Sequence, residues 1–107
     1  MTIAQVSATE LKTRIENEPE LFLLDVREPN EFKFARIESS VLMPLNQIPQ
    51  RLTELDPHQE IVVICHHGVR SSQACMYLIN SGFEHITNLS GGIDAWSSVC
   101  DSSVPRY

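Results

Sequence analysis

Runs of apolar residues recur along the chain, and they predict strands that are separated by helical segments. Residues 21–27 and 61–64 are apolar at nearly every position, as in central parallel strands that are covered on both faces. A short run at 41–44 ends at a proline, and residues 83–89 alternate enough between apolar and polar to predict a further strand. These segments supply most of a sheet.

Helical segments fill the intervals between these strands. Ser7 and Glu10 fit a capping box and start a helix to about Asn17, which Pro19 prevents from continuing. The spacing of apolar residues, prolines and glycines predicts four more helices. The first is opened by Pro29 or Asn30 and runs through Phe34, and the second runs from Leu45 to about Leu55, with Pro49 at its first turn or at a kink. The third runs from Ser71 to about Ser81 and is followed by Gly82, and the fourth opens at Ile93.

Strands that alternate with helices predict an α/β fold. We expect a mostly parallel central sheet of about five strands, flanked by helices on both faces. The sequence fits a single domain, residues 1–107, in which residues 97–107 form a short polar extension. Because ligands bind beyond the carboxyl ends of strands in such folds, we expect the turn after Val26, the segment after Cys65 and the turn Ser90–Gly92 to converge on one pocket.

Composition and charge narrow the set of partners. The net charge of −6 argues against nucleic acid or an anionic membrane as the main partner. Three cysteines without regular spacing predict no disulfide framework. Residues 1–6 contain neither a basic region nor a long apolar run, so we expect no signal peptide, and no stretch approaches the length of a membrane span. The expected location is therefore cytoplasmic, a reducing compartment where a reactive thiol can persist.

The strand at 61–64 leads into the segment with the clearest chemistry. It runs into Cys65, then into a loop that contains Gly68, and then into Arg70 and a helix. The N–H groups of such a loop and of the first helical turn converge on one point, where the helix dipole adds positive potential. This field binds anions and favours a nucleophilic thiolate on Cys65. Gly68 permits a positive φ, and the Arg70 guanidinium matches the geometry of oxyanions.

Each of these residues also has a plainer interpretation. A cysteine at the end of an apolar strand is often a small buried hydrophobe, and an arginine can tie a loop structurally. The spacing of Cys65 and Arg70 around Gly68 favours the reactive site. His66 and His67 can act in acid–base steps or raise the local potential, or they can face solvent while the backbone binds the anion.

Val69 and Ser71 complete the segment. Val69 contributes its N–H to the expected cradle, and Ser71 either donates its hydroxyl to the sulfur or caps the helix. We expect no metal site, because no second pair of ligands with suitable spacing accompanies the two histidines. Asp25 and Arg27 are expected to close a polar network at the end of their strand, and Cys75 is expected to pack in the core.

Three stretches of the chain resemble the small single-domain form of the rhodanese-like sulfurtransferase family. They are Leu24–Arg27 followed by Glu31 and Phe32, Cys65–Ser71, and Asn88–Trp96. In this resemblance the six residues from Cys65 to Arg70 are the active-site loop. One stretch departs from the family pattern: where Gly-His-Ile-x-Gly-Ala is usual, this chain has Ala35–Ser40, which lacks both glycines and leaves the shape of that loop open.

The resemblance implies a reaction and a set of site residues. It implies that Cys65 takes sulfane sulfur from a small anionic donor such as thiosulfate, holds it as a persulfide, and passes it to a thiophilic acceptor, which is cyanide, a thiol or a partner protein. The residues that would bind the substrate are Arg70, His66, His67, Gly68, Val69 and Ser71. No metal and no organic cofactor is implied.

Two other functions fit parts of the same pattern. Cysteine-based phosphatases and arsenate reductases resemble this site, but their loops are one residue longer than the Cys65–Arg70 loop. We therefore expect poor turnover of phosphate esters. The other alternative is a non-catalytic binding or regulatory module, and the presence of Cys65, Gly68 and Arg70 together argues against it.

Overall fold

The computed structural model describes residues 3–107, and its five strands form one sheet in which every neighbouring pair is parallel. The strands are β1 (Ala4–Val6), β2 (Phe22–Asp25), β3 (Val41–Leu42), β4 (Ile61–Ile64) and β5 (Ile86–Leu89). Their spatial order is β1-β5-β4-β2-β3, so β4 is central and is paired on both sides. The predicted α/β fold with a parallel sheet of about five strands is confirmed.

Five helices connect or flank these strands. They are α1 (Ala8–Asn17), α2 (Pro29–Phe34), α3 (Ile48–Arg51), α4 (Val69–Asn80) and α5 (Gly92–Val99) among residues 3–107. The capping box at the start of α1 is confirmed, because the Glu10 N–H donates to Ser7 Oγ at 3.1 Å and the Ser7 N–H donates to Glu10 Oε1 at 3.3 Å. None of the helices in the described part of the chain is long and apolar enough to cross a membrane.

The segment from Leu45 to Leu55 is not the single helix that its spacing predicts. It consists of a 3₁₀ turn at Leu45–Gln47, the short helix α3, and a second 3₁₀ turn at Leu52–Glu54. Pro49 lies in the first turn of α3, where its missing N–H costs nothing but prevents one long helix from Leu45. The apolar residues still face the core, since Ile48 and Leu55 are buried.

Strand β1 has no counterpart in the sequence-based prediction. It spans three residues at an edge of the sheet and pairs only with β5, from Ala4 opposite Thr87 to Val6 opposite Leu89. A segment of this length is too short for its periodicity to indicate a strand. The amino-terminal stretch in which no signal peptide was expected includes Met1 and Thr2, and these two residues lie outside the described part.

Buried side chains form two clusters, one on each face of the sheet. Along β4, Ile61 and Val63 belong to the first cluster, whereas Val62 and Ile64 belong to the second. This follows from the pleat, because successive side chains of a strand point to opposite faces. Cys65 continues the alternation and belongs to the first cluster, together with buried residues of α4. The pleat therefore aims Cys65 at the face that α4 covers.

The helices cover both faces, as predicted. Residues of α3 and α4 complete the first cluster, including Cys75, which is 0% exposed and confirms its expected place in the core. Residues of α1 and α5 complete the second cluster, in which Trp96 is the largest side chain. Residues 97–99 of the predicted extension form the last turn of α5. The three cysteines Cys65, Cys75 and Cys100 are free thiols.

Residues 101–107, here called the return segment, run from the end of α5 back to the carboxyl ends of the strands. Val104 is buried in the second cluster and fixes the middle of the segment. Arg106 forms an ion pair with Asp94 in the first turn of α5, and Tyr107 contacts Arg27 beyond the end of β2. These contacts bring the return segment to the edge of the sheet where Cys65 lies.

One residue of the Ala35–Ser40 loop has a left-handed backbone conformation, although the loop lacks the two glycines that are usual in the family that this chain resembles. Ser39 has a φ of 71°, at the position of the second usual glycine. Ala35 stands at the first and has an extended conformation with a φ of −153°, which any residue adopts. Only the second of the two positions therefore favours glycine.

Candidate active site

Cys65 lies immediately after β4, with its sulfur facing the first turn of α4. Its Sγ accepts a hydrogen bond from the Gly68 N–H at 3.0 Å, and its thiol donates to Ser71 Oγ at 3.3 Å. Gly68 has a φ of 114°, which confirms the predicted positive φ and turns its N–H back toward the sulfur. The cysteine is 1% exposed, and we expect the surrounding loop to move when a substrate reaches the sulfur.

Further amide donors surround this hydrogen bond. The N–H groups of Val69, Arg70 and Ser71 form the first turn of α4, where no earlier helical carbonyl can accept them. They find no acceptor among residues 3–107, and neither do the N–H groups of His66 and His67. The loop therefore presents a set of unpaired donors and the positive end of a helix of 12 residues beside the sulfur.

Ser71 connects the sulfur to a buried polar chain. Its Oγ donates to Asn88 Oδ1, and the Asn88 Nδ2 donates to Gln5 Oε1 at 3.1 Å and to Ser72 Oγ at 3.3 Å. Ser71 is 0% exposed and Asn88 is 3% exposed. Sequence reasoning did not single out Asn88, although it lies at the end of the strand next to β4, which is the signal that could have identified it.

The amino terminus of α5 holds the Cys65 loop through backbone hydrogen bonds. The Ile93 N–H donates to the Cys65 carbonyl at 2.8 Å, and the Asp94 N–H donates to the His66 carbonyl at 3.1 Å. A side chain at Gly92 would run into those two carbonyl oxygens, so the close approach of α5 requires glycine there. The turn Ser90–Gly92 and the Cys65 loop thus meet, as the sequence predicts.

Arg70 reaches across to α2, the helix that follows β2. Its Nη1 and Nη2 donate to Glu31 Oε1 at 2.5 Å and to Glu31 Oε2 at 2.8 Å. These hydrogen bonds, opposed by burial, hold the pKa of Glu31 at about 2. The structural tie that was one interpretation of Arg70 is therefore present, and it joins the first turn of α4 to α2, the helix that follows the turn after Val26.

Asp25 and Arg27 form the polar network expected at the end of β2. Both side chains are 0% exposed, and Arg27 Nη2 lies 2.6 Å from Asp25 Oδ2. Burial by itself would lower the pKa of Arg27, but the hydrogen bonds to Asp25 outweigh it and the pKa is raised. The same guanidinium donates to the Ala35 carbonyl and to the Tyr107 hydroxyl, both at 2.6 Å. The pair fixes the surrounding loops, which confirms the expectation.

The two histidines of the loop lie in different environments. The His66 ring is stacked between His67, at a centroid distance of 3.9 Å, and Tyr107, at 4.0 Å. Burial is the main cause of a lowered pKa for His66, which favours the neutral ring. The His67 side chain is 61% exposed and its Nε2 lies 3.8 Å from Asp94 Oδ2.

A metal ion would find few free ligands here. The ligand atoms of His66, His67 and Asp94 lie within 4.8 Å of one another. However, both oxygens of Asp94 already accept hydrogen bonds from Arg106, at 3.0 and 3.2 Å, and the stacking of His66 restrains its ring. The cluster is therefore a weak candidate for a metal centre.

Comparison with known proteins assigns this chain to a family. A model of the rhodanese-like domain matches residues 7–99. The chain belongs to the rhodanese-like family. The family resemblance that three stretches of sequence indicated is thereby confirmed, together with the fold that it implied.

Relatives of this rhodanese-like chain cover nearly its whole length. The putative sulfurtransferase YtwF of Bacillus subtilis (strain 168) is 40% identical over 96 residues, which are 90% of this chain and 92% of the relative. The thiosulfate sulfurtransferase GlpE of Pseudoalteromonas translucida is 30% identical over 87 residues, 81% of this chain and 83% of the relative. The crystal structure of a rhodanese-related protein from Thermoplasma volcanium matches with a TM-score of 0.81 and 30% identity, covering 95% of both chains. These relatives support a sulfurtransferase.

Proposed function

We propose that this protein transfers sulfane sulfur from a donor such as thiosulfate to a thiophilic acceptor through a persulfide on Cys65. The observation that carries the proposal is the position of Sγ at the end of β4, where it accepts the Gly68 N–H at 3.0 Å beside the first turn of α4. Amide donors and a helix dipole stabilise a thiolate and a persulfide anion at this point. The acceptor is cyanide, a thiol or a partner protein in the reducing cytoplasm.

The reaction proceeds in two covalent steps. The Cys65 thiolate attacks the outer sulfur of thiosulfate, the S–S bond of the donor breaks, and sulfite leaves with the electron pair. The outer sulfur stays on the protein as Cys65-S-S⁻. The acceptor then attacks this sulfur with its own lone pair, and the Cys65 thiolate is regenerated.

The residues around Cys65 have separate roles in this scheme. Gly68 holds the inner sulfur, and the N–H groups of Val69, Arg70 and Ser71 stabilise the charge on the outer sulfur. By analogy with oxyanion holes, each such donor contributes about 3 kcal/mol to lowering the barrier. When the thiol proton is lost, the Ser71 hydroxyl turns its hydrogen from Asn88 to the sulfur. His66 and His67 line the loop beside the amide donors.

Mass spectrometry after treatment with thiosulfate tests the proposal directly. We expect a gain of one sulfur on the peptide that contains Cys65, and we expect cyanide to remove it. Cys65→Ser should abolish the gain. The matched control is Cys100→Ser, which should keep the gain, because Cys100 is a free cysteine at the end of α5 that is not part of the Cys65 loop. A folded wild-type protein without the gain, or one that gains sulfur on Cys100 instead, contradicts the proposal.

One observation favours a second candidate function, a non-catalytic binding module. Cys65 is 1% exposed, and the Arg70 guanidinium is occupied by Glu31 and not free for a donor. A module of this kind would leave Cys65 unmodified in the thiosulfate experiment, and that experiment therefore separates the two functions.

A further inference from the structure

The Arg70 guanidinium, to which the family resemblance assigns substrate binding, already holds an anion of the protein itself. Glu31 accepts two parallel hydrogen bonds from it, in the fork geometry that a planar oxyanion takes on an arginine. The Glu31 carboxylate stays charged at neutral pH, since its pKa is held at about 2. An incoming oxyanion must either displace Glu31 or bind beside its negative charge.

Tyr107 of the return segment holds Glu31 in this position. The Tyr107 hydroxyl donates to Glu31 Oε2 at 2.9 Å and accepts from Arg27 Nη1 at 2.6 Å. Because Arg27 supplies a hydrogen to the phenol oxygen, the single hydrogen of the phenol is directed to Glu31. Arg27 cannot move away, since it is buried against Asp25.

The Tyr107 ring is itself fixed by two aromatic contacts. It stacks on His66 at a centroid distance of 4.0 Å and an interplanar angle of 9°, and it meets the Phe34 ring edge-on at 5.9 Å. The ion pair between Arg106 and Asp94 anchors the preceding residue. The hydroxyl is therefore presented to Glu31 by a ring that packs against two other rings.

We propose that Tyr107 is a positioning residue that keeps Glu31 on Arg70, and that the site consequently discriminates against sulfur donors that carry an oxyanion, in favour of donors without one. This inference rests on the proposed function and deepens it by stating the donor class. Thiosulfate is then a weakly bound donor, and the persulfide of a thiol that carries no carboxylate or sulfonate group is a better one.

Alkylation of Cys65 by a charged and an uncharged reagent tests the inference without any sulfur transfer. Iodoacetate and iodoacetamide both form a bond to the Cys65 sulfur and release iodide, and they need the same thiolate and the same loop opening. The ratio of their rates, measured by mass spectrometry on the peptide that contains Cys65, therefore reports the preference between an anion and a neutral molecule.

Three variants define the expected result. Tyr107→Phe keeps the ring and its stacking but loses the hydroxyl, and it should raise the iodoacetate-to-iodoacetamide ratio about threefold. Glu31→Gln removes the charge while the amide oxygen can still accept the Glu28 N–H that Glu31 now accepts at 3.0 Å, and it should raise the ratio about tenfold. Tyr77→Phe removes the hydroxyl of a tyrosine on α4 and should leave the ratio unchanged.

Kinetics with thiosulfate give the second readout. Tyr107→Phe should lower KM for thiosulfate about threefold and leave kcat within about twofold, because it changes access to Arg70 and not the sulfur. Unchanged alkylation ratios in both Glu31→Gln and Tyr107→Phe overturn the inference, and a change in Glu31→Gln alone overturns the role of Tyr107. A wild-type protein that is alkylated but gains sulfur neither from thiosulfate at high concentration nor from a thiol persulfide contradicts the proposed function, while the ratio still decides the inference.

Discussion

At the scale of single residues, backbone conformation decides which positions near the site tolerate a side chain. Ser39 has a φ of 71° and so carries a side chain in the left-handed region, which costs about 1–2 kcal/mol relative to glycine. Ala35, four residues earlier in the same loop, is extended and 3% exposed, and its methyl group contributes to the second cluster. The two positions therefore respond in opposite ways to glycine.

Ser39→Gly should stabilise the protein. Relief of the strain exceeds the greater conformational freedom that glycine gives the unfolded chain, and the net gain is about 0.5–1 kcal/mol. Ala35→Gly is the matched control and should destabilise the protein by about 1 kcal/mol, since it removes a buried methyl and adds the same freedom. The free energy of unfolding in urea measures both, and a loss of stability in Ser39→Gly would contradict the strain at that residue.

At the scale of elements, the amino terminus of α5 determines the position of the Cys65 loop. Its first two N–H groups after Gly92 bind the Cys65 and His66 carbonyls, so helix and loop move together. No side chain fits between them at Gly92, which has a φ of 60°. Gly82, after α4, has a φ of 96°, but a Cβ added there would meet no heavy atom within 4 Å. A side chain at Gly82 would therefore strain the backbone without striking a neighbouring segment.

Gly92→Ala should therefore cost more than Gly82→Ala. We expect about 3–4 kcal/mol for the first, from backbone strain and displacement of the loop, and about 1–2 kcal/mol for the second, from strain alone. Gly92→Ala should also slow alkylation of Cys65 by iodoacetamide, because the loop that carries the Gly68 N–H is pushed away. Equal costs at the two glycines would show that α5 does not press on the loop.

The helices and strands also differ in how well the sequence predicts them. Local signals sufficed for the capping box at Ser7 and for the strand that delivers Cys65, because each depends on residues within a few positions. The helix predicted over residues 45–55 is divided into short segments, since Pro49 in the first turn of α3 prevents one long helix from Leu45. Strand β1 is stabilised by pairing with β5, more than 80 residues away in the register of Ala4 with Thr87. Pairing at such a distance leaves no periodicity in a strand of three residues.

The candidate site divides in the same way. The cysteine, the left-handed glycine and the first turn of α4 follow one another in the chain, and the sequence predicts their arrangement. The partner of Arg70 is 39 residues away, and Tyr107 is 76 residues from Glu31. These contacts arise from the packing of separate segments, so no local pattern could indicate them.

At the scale of the whole molecule, charge pairs join segments that are remote in the chain. The hydrogen bonds from Arg70 to Glu31 connect α4 to α2, and the Tyr107 hydroxyl adds the return segment to the same carboxylate. The pKa of Glu31 is lowered from 4.5 to about 2 by these contacts, with the Arg70 hydrogen bond as the largest cause. The folded protein therefore gains stability from the charged form of Glu31.

The pH dependence of unfolding should report this gain. A carboxyl whose pKa is lower in the folded state contributes its full stability above the unfolded pKa of 4.5 and loses it as the pH falls to about 2. We expect Glu31→Gln to be less stable than wild type by about 1–2 kcal/mol at neutral pH, and the difference to shrink between those two pH values. Urea unfolding at a series of pH values measures it, and a difference that stays constant down to pH 2 would contradict the pairing.

The order of the strands has a consequence for behaviour at high concentration. The two outer strands, β1 and β3, are also the shortest, with three and two residues, whereas the longer β2, β4 and β5 are paired on both sides. An unpaired row of N–H and C=O groups invites a second molecule to add a strand, and the hazard grows with the length of the row. The rows left open at the rims of this sheet are too brief to template such an addition, so concentrated solutions should resist fibril formation.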